Sequence, residues 1–358
     1  MTEQNTPYRG TRFFINAAAF VIILWGINLA QPVLVLFLVA GFLATIGMMP
    51  LLWMERKGIP SAAAVIIVMA TMVTLLLGVG VLVGASFSSF YDALPLYQSR
   101  LHELLIGFRT MLEKKGMTIS EKILLGYVNP GMVMNLTASL FTSLSSILSN
   151  TLLILFTVMF ILLEASSFPA KLRSALEKPQ ADFRQVTRFF DEIKHYLVIK
   201  TLINLFGATL ITVWLTVLGV DFAVLWGFLA FLLAFVPTVG SIVAAVPAVL
   251  LALIQYGGGT AVLTAAGYLV IGIILGNVVE PKIMGRKLGM STFIVFVSLI
   301  LWGSLLGPVG ALLCVPLTIF LRLVCGSSED TKWLAVLLGA DTPREARDQA
   351  HDGKPASQ

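Results

Sequence analysis

The sequence predicts an all-α, polytopic integral membrane protein. About six full spans and two broken re-entrant hairpins are expected, or eight to ten spans if every hairpin leg crosses, with a small external helical cap and a cytoplasmic amphipathic helix. Three observations lead there. Apolar residues make up 58% of the 358 positions and charged residues 12%, whereas a soluble domain has near half and about a quarter. Apolar runs of roughly 18 or more residues, enough to cross a hydrocarbon core of about 30 Å, recur along the chain. Lys and Arg gather between alternate runs, as they do in cytoplasmic loops.

The first run, 13–30, follows Arg9 and Arg12, and the second, 33–54, starts after Pro32. The length of the first run and the lack of a small-residue cleavage site argue against a signal peptide. A third run at 62–87 completes an N-terminal three-span region, 1–87. Residues 88–146 form an external segment in which Leu94, Tyr97, Leu101, Leu104, Leu105, Phe108, Met111 and Leu112 recur at helical spacing. These residues predict the cap. Asn129-Pro130 is an N-cap followed by proline at the first helical position, which predicts one helix from Gly131 to Glu164. Ser139, Thr142, Ser143, Ser146 and Ser149 share a face of it, suited to a helix or subunit contact or to a vestibule wall.

Region 147–200 holds the fourth span and the amphipathic helix. There Val186, Phe189, Phe190, Ile193 and Leu197 oppose Arg184, Arg188, Asp191, Glu192 and Lys194. Such a helix is expected to lie in the headgroup plane or, alternatively, to pack beneath the spans. Residues 201–325 form the expected transport core, and 326–358 a cytoplasmic polar tail. Within the core, Pro237, Gly240 and Pro247 interrupt the apolar stretch 222–255. Each half would rise only about 23 to 26 Å, short of the core thickness, so a hairpin that turns back within the membrane fits better. Residues 291–325 repeat the pattern from the other side around Gly307-Pro308-Val309-Gly310. Paired broken hairpins entering from opposite sides are associated with inverted repeats and midplane substrate sites of secondary transporters.

The positive-inside rule places both termini in the cytoplasm. Of 24 Lys and Arg residues, Arg100, Arg109, Lys114, Lys115 and Lys122 fall in the external segment and the rest are cytoplasmic. The net charge of +5 therefore reads as affinity for membrane lipid at the inner leaflet, and no basic stripe suits nucleic acid. Enzyme chemistry finds little support. His102, His195 and His351 lie in three separate segments, no P-loop, HExxH or GxSxG occurs, and no cofactor or metal is expected.

One stretch, "GNVVEPKIMGRKLGMS" at 276–291, interrupts the oily chain with Glu280, Lys282, Arg286 and Lys287 between Gly276, Gly285 and Gly289. The glycines suggest a tightly packed, hinge-like connector. Glu280 should meet Lys200 at similar depth, as a structural ion pair or as a gate, with Lys282 and Arg286 as the other cations at hand. Uncharged partners for a polar solute are Thr201, Asn204, Asn277, Thr238 and Ser241, with Thr209 and Thr212 as further interior hydroxyls, and each of them singly fits a helix-packing contact better. Pro237, Gly240, Pro308 and Gly310 mark the two hairpin tips along the same expected pathway.

Four segments, "HYLVIKT" (195–201), "FVPTVGSIVAAVP" (235–247), "GNVVEPKIMGRKLGMST" (276–292) and "LWGSLLGPVGALLCVPLT" (301–318), resemble the autoinducer-2 exporter family. The resemblance spans nearly the whole chain, and Glu280, Pro281, Lys282, Gly285 and Arg286 carry its most specific part. Ser304 departs from the aromatic residue often found after the Trp-Gly pair. The resemblance implies export of a small polar solute across the bacterial inner membrane, foremost the quorum-sensing signal autoinducer-2. Some relatives resemble sodium-proton antiporters, which keeps cation exchange as the alternative, with a nontransporting membrane scaffold third. A homo-oligomer is expected, because short helices and a hydroxyl-lined face are easier to bury between subunits than against lipid.

Overall fold

The computed structural model describes residues 9–114, 150–165, 181–237, 239–284 and 291–326, together with 331, 333, 337 and 338. No strand occurs among them. Helices α1 (Arg9–Leu29) and α2 (Gln31–Arg56) are separated by Ala30 alone, with Pro32 in the first turn of α2, where its missing N–H costs nothing. A short turn leads into α3 (Ser61–Glu113), and α4 (Thr151–Ala165) returns beside α2. Ala40, Ala44 and Leu51 of α2 pack against Val65 and Val68 of α3 and Ile154, Val158 and Leu162 of α4.

Helix α3 changes one expectation. Its 53 residues rise about 80 Å without interruption, so the part of the external segment that is described continues the third span and is not a separate cap. Residues 88–93 hold no glycine or proline to stop a helix, and Pro95 is accommodated inside it. The expected helix from Gly131 to Glu164 is described only from Thr151, with Asn150 in a turn. Its hydroxyl-bearing face at 139–149 lies outside the described residues.

The amphipathic segment is also corrected. It runs without a break into the fifth span as α5 (Ala181–Val217), so it is a continuation of that span's helix and not a separate one. Tyr196 and Leu197, with Ile193 beside them, pack against Cys314 and Val315.

The first broken hairpin follows. Helix α6 (Ala223–Leu233) leads to a turn, and α7 (Gly240–Tyr256) leads back. Their 11 and 17 residues rise about 16 and 25 Å, less than the core thickness. Both ends of the hairpin meet at one place: Tyr256 Oη donates to the Gly219 carbonyl at 2.9 Å, and Asp221 N–H donates to Gln255 Oε1 at 3.2 Å. The chain therefore leaves and returns on one side, as it would in a re-entrant hairpin or in a pair of short spans. Gly257, at φ +85°, makes the sharp corner into α8 (Gly258–Ile273).

Helix α8 passes into a π-helical segment (Ile274–Val279) and then α9 (Glu280–Met284). Beyond the undescribed 285–290, Ser291 caps α10 (Thr292–Leu312), its Oγ accepting from Ile294 N–H at 3.3 Å. Inside α10 the chain kinks at Gly307, with φ +66° and ψ −151°, followed by Pro308. Helix α11 (Cys314–Gly326) then returns beside the first leg, with Trp302 Nε1 donating to Thr318 Oγ1 at 3.1 Å.

This second tip reaches the corner between α1 and α2, where Asn28 Nδ2 donates to the Leu305 carbonyl at 3.5 Å. Helix α3 runs from the far end of α2 to the mouth of the first hairpin, so the two tips point in opposite directions. The tips are also closed alike. A Cβ added to Gly240 would strike the Leu233 carbonyl, and one added to Gly310 would strike the Trp302 carbonyl. In each hairpin a glycine lets the returning leg rest on the backbone of the leg before it.

The mouth of the first hairpin is tied to α3. Tyr97 Oη donates to Asp221 Oδ2 at 2.6 Å, Gln255 Nε2 donates to the same oxygen, and Trp226 Nε1 donates to the Asp221 carbonyl at 3.0 Å. Phe222 beside them has φ +59°, a conformation that bulky side chains rarely adopt. It is held by edge-to-face contacts with Phe90 and Tyr97. Tyr97→Phe keeps the ring but deletes the hydrogen bond to Asp221, and should cost about 1 kcal/mol. Thermal unfolding in detergent checks this, and an unchanged melting temperature would mean that the tie contributes nothing.

Candidate functional site

Between α5, α6, α7, α8 and the first hairpin tip lies a cavity of about 1010 Å³. Helix α5 supplies one wall because its residues at three- and four-residue spacing, Lys200, Ile203, Asn204, Gly207, Ala208 and Ile211, face inward together. Small residues bring the other walls close. A Cβ on Gly207 would sit 2.6 Å from Leu275 Cδ1, while one on Gly227 would strike Thr212 Oγ1 and one on Gly267 would strike Trp214. These contacts also fix the register of α5 against the antiparallel α8 and its π-helical extension. Gly207 lies by Leu275, Trp214 by Gly267, and Lys200 by Glu280.

At one end of the cavity Lys200 Nζ donates to both Glu280 oxygens at 2.8 Å. The side chains are 10% and 25% exposed. In this low-dielectric setting each charge neutralises the other, and the cavity carries no naked charge from either of them. The π-helical turn, whose backbone bonds run i to i+5, delivers Asn277 and Glu280 to this end. Such turns are rare and are found frequently at functional sites.

Two polar groups in the lining stand apart. Asn204 Nδ2 and Tyr268 Oη have no hydrogen-bond partner among the described residues, although each residue is only 4% exposed. Most other lining residues are apolar, among them Ala230, Ala234, Ala245, Val249 and Ile271. A large, mostly apolar chamber with a few polar groups set into it is the form that a small-molecule site takes.

Residues 14–327 match the protein family described as "AI-2E family transporter". The chain belongs to that family. Among the relatives of this AI-2E transporter is "AI-2 transport protein TqsA" of Escherichia coli K12, 38% identical over 339 residues, covering 94% of this chain and 98% of the relative. "Putative transport protein YhhT" of the same strain is 36% identical over 335 residues, covering 94% and 96%. A "Putative transport protein" of Haemophilus influenzae is 31% identical, covering 92% and 96%. The AI-2E chain is accordingly a multi-pass, all-α membrane transporter and not an enzyme.

Of the residues singled out in the sequence of this AI-2E transporter, the cavity gathers Lys200, Asn204, Pro237, Ser241, Asn277 and Glu280. Thr201 is not among its lining, and its hydroxyl donates to the Leu197 carbonyl at 2.7 Å. Thr209 and Thr212 likewise bond back to Leu205 and Ala208. A hydroxyl in an apolar helix takes the nearest free carbonyl lone pair, one turn behind it. Gly240 closes the tip behind Pro237, and Thr238 lies outside the described residues.

Pro308 and Gly310 belong to the second tip and are not among the cavity lining, although Val295 and Val315 of that hairpin reach it. Lys282 is exposed and also absent from the lining, and Arg286 is outside the described residues. The expected tight packing does not extend to Gly276, where an added Cβ would meet nothing within 4 Å.

The π-helical turn and Tyr268 were not read from the sequence. Tyr268 did leave a signal, being a phenol in the middle of an otherwise apolar span, where its hydroxyl requires a partner.

Proposed function

We propose that this AI-2E transporter exports a small, neutral, hydroxyl-rich solute, foremost autoinducer-2, from the bacterial cytoplasm. The observation that carries the reading is the cavity. Its polar groups are amides, hydroxyls and one internally neutralised ion pair, set in apolar walls between a full span and the tip of a broken hairpin. A neutral solute exchanges its water for such groups without stranding a charge, whereas a bare cation would need a free carboxylate. Glu280 does not offer one, because both of its oxygens accept from Lys200. This arrangement favours solute export over sodium-proton antiport.

The relative TqsA is named an autoinducer-2 transport protein, and the high identity over nearly the full length of both chains supports carrying that solute class across. Alternating access follows from two hairpins that enter oppositely, with the glycine-closed tips as the elements able to shift against the spans. An inner-membrane location, cytoplasmic termini and a homo-oligomeric assembly belong to the same proposal.

Proteoliposomes holding the purified protein test it. Autoinducer-2 flux above that of empty liposomes, measured with and without a pH gradient, is the expected result. Sodium-driven proton movement in the absence of autoinducer-2 flux would reverse the assignment.

A further inference from the structure

We propose that Asn204 and Tyr268 are the two hydrogen-bonding stations at which the cavity recognises its solute, one near the Lys200–Glu280 ion pair and one farther from it. The proposal rests on the exporter reading and names the residues and the ligand chemistry that it lacks. Its basis is an imbalance in the cavity lining. Almost every buried polar group in a folded protein finds a partner, and one without a partner loses free energy that a paired group keeps. Asn204 Nδ2 and Tyr268 Oη are buried, face one cavity and have no hydrogen-bond partner among the described residues. Away from the cavity Thr201, Thr209 and Thr212 are satisfied by their own helix, while Thr264 Oγ1 and Glu55 Oε1 also lack a partner among the described residues but do not line the cavity.

The register of α5 against α8 separates the two stations. Lys200 pairs with Glu280 and Gly207 lies by Leu275, so Asn204 sits alongside Asn277, one turn from the ion pair. Trp214 lies by Gly267, which puts Tyr268 about nine residues farther along α5, roughly 13 Å away by the rise of a helix. A small solute therefore meets the two groups in succession and does not bridge them.

The amide N–H and the phenol O–H are both donors, so the solute they select carries acceptor oxygens, such as carbonyl, ether or hydroxyl groups, and no net charge. An anion is disfavoured because neither station brings a free cation, Lys200 being held by Glu280.

The assignment predicts an unusual pairing of effects. Tyr268→Phe keeps the ring and its packing, and Asn204→Leu keeps most of the volume. Each removes a group that has no partner in the folded protein, so thermal stability should hold or rise while transport falls. A residue with a purely structural role would lose both together.

The experiment uses the full chain in proteoliposomes, with autoinducer-2 and a panel of neutral pentoses and polyols as probes, and melting temperatures on the same preparations. Each variant should raise the half-saturating concentration of transported probes three- to tenfold, about the worth of one hydrogen bond, with the melting temperature equal to or above the parent's. Parental transport in both variants overturns the stations while leaving the exporter reading intact. If the parent moves a different neutral solute and the variants impair it, the stations stand and autoinducer-2 is the wrong solute. Flux of cations alone, or of no probe, overturns both readings.

Discussion

Glu280→Gln is expected to lower stability by about 3 kcal/mol, the scale on which breaking a buried ion pair acts. The amide keeps the shape of the side chain but leaves Lys200 Nζ without its counter-charge, on a side chain only 10% exposed. The loss should come from that stranded cation more than from any missing attraction. Replacing both partners by apolar residues, Lys200→Met with Glu280→Leu, should then recover most of the deficit, because the pair repays its own desolvation only partly. A double-mutant cycle on the melting temperatures measures the coupling directly. Flux per folded molecule, and its pH dependence, should survive in Glu280→Gln. A stable variant that has lost pH-dependent transport would instead make the carboxylate a proton-linked gate.

The two hairpin tips should be equally intolerant of a single methyl group. In Gly240→Ala and in Gly310→Ala the new Cβ meets a backbone carbonyl, of Leu233 in one case and of Trp302 in the other. A carbonyl within a helix cannot swing aside as a flexible side chain can, so a leg of the hairpin must move. The cost is about 3 kcal/mol for each, at the upper end of overpacking effects, and transport should fall with it. Gly84→Ala is the control, since a Cβ on α3 at that point meets nothing within 4 Å, and it should be neutral or stabilising by up to about 1 kcal/mol. Size-exclusion profiles and thermal unfolding of the three variants check this. Parental stability in both tip variants would mean that the tips are loose and that the resemblance between them carries no mechanical role.

The sequence disclosed the membrane class, the broken hairpins and the Lys200–Glu280 pair because each rests on a short-range rule. Hydropathy over a span, proline and glycine inside an apolar run, and opposite charges at one depth can all be read without knowing the fold. The continuity of α3 and α5 was missed because an amphipathic periodicity shows which face is apolar but not where a helix ends. Both segments were taken as separate helices, although no breaker stands between either of them and its span. Thr201 shows a related limit of the sequence: a hydroxyl in an apolar helix looks available until the carbonyl one turn back, here that of Leu197, is counted. Tyr268 came into view only when the register of α8 against α5 placed it on the cavity, and that register depends on the contacts of Gly207 and Gly267.

With hydrogen bonds running i to i+5, the segment Ile274–Val279 packs more residues into a turn than the α-helix before it, and so it sets the angular phase of Glu280 relative to Tyr268. Tightening that turn by one residue would rotate Glu280 about 100° around the helix axis and slide it about 1.5 Å. Its carboxylate would swing off Lys200 while Gly267 stayed seated on Trp214. Such a turn would act as a slip joint, the part above keeping its neighbours while the part below exchanged its own. A change of helical pitch confined to these six residues would thus move Glu280 relative to Lys200 while leaving the helix before it in place.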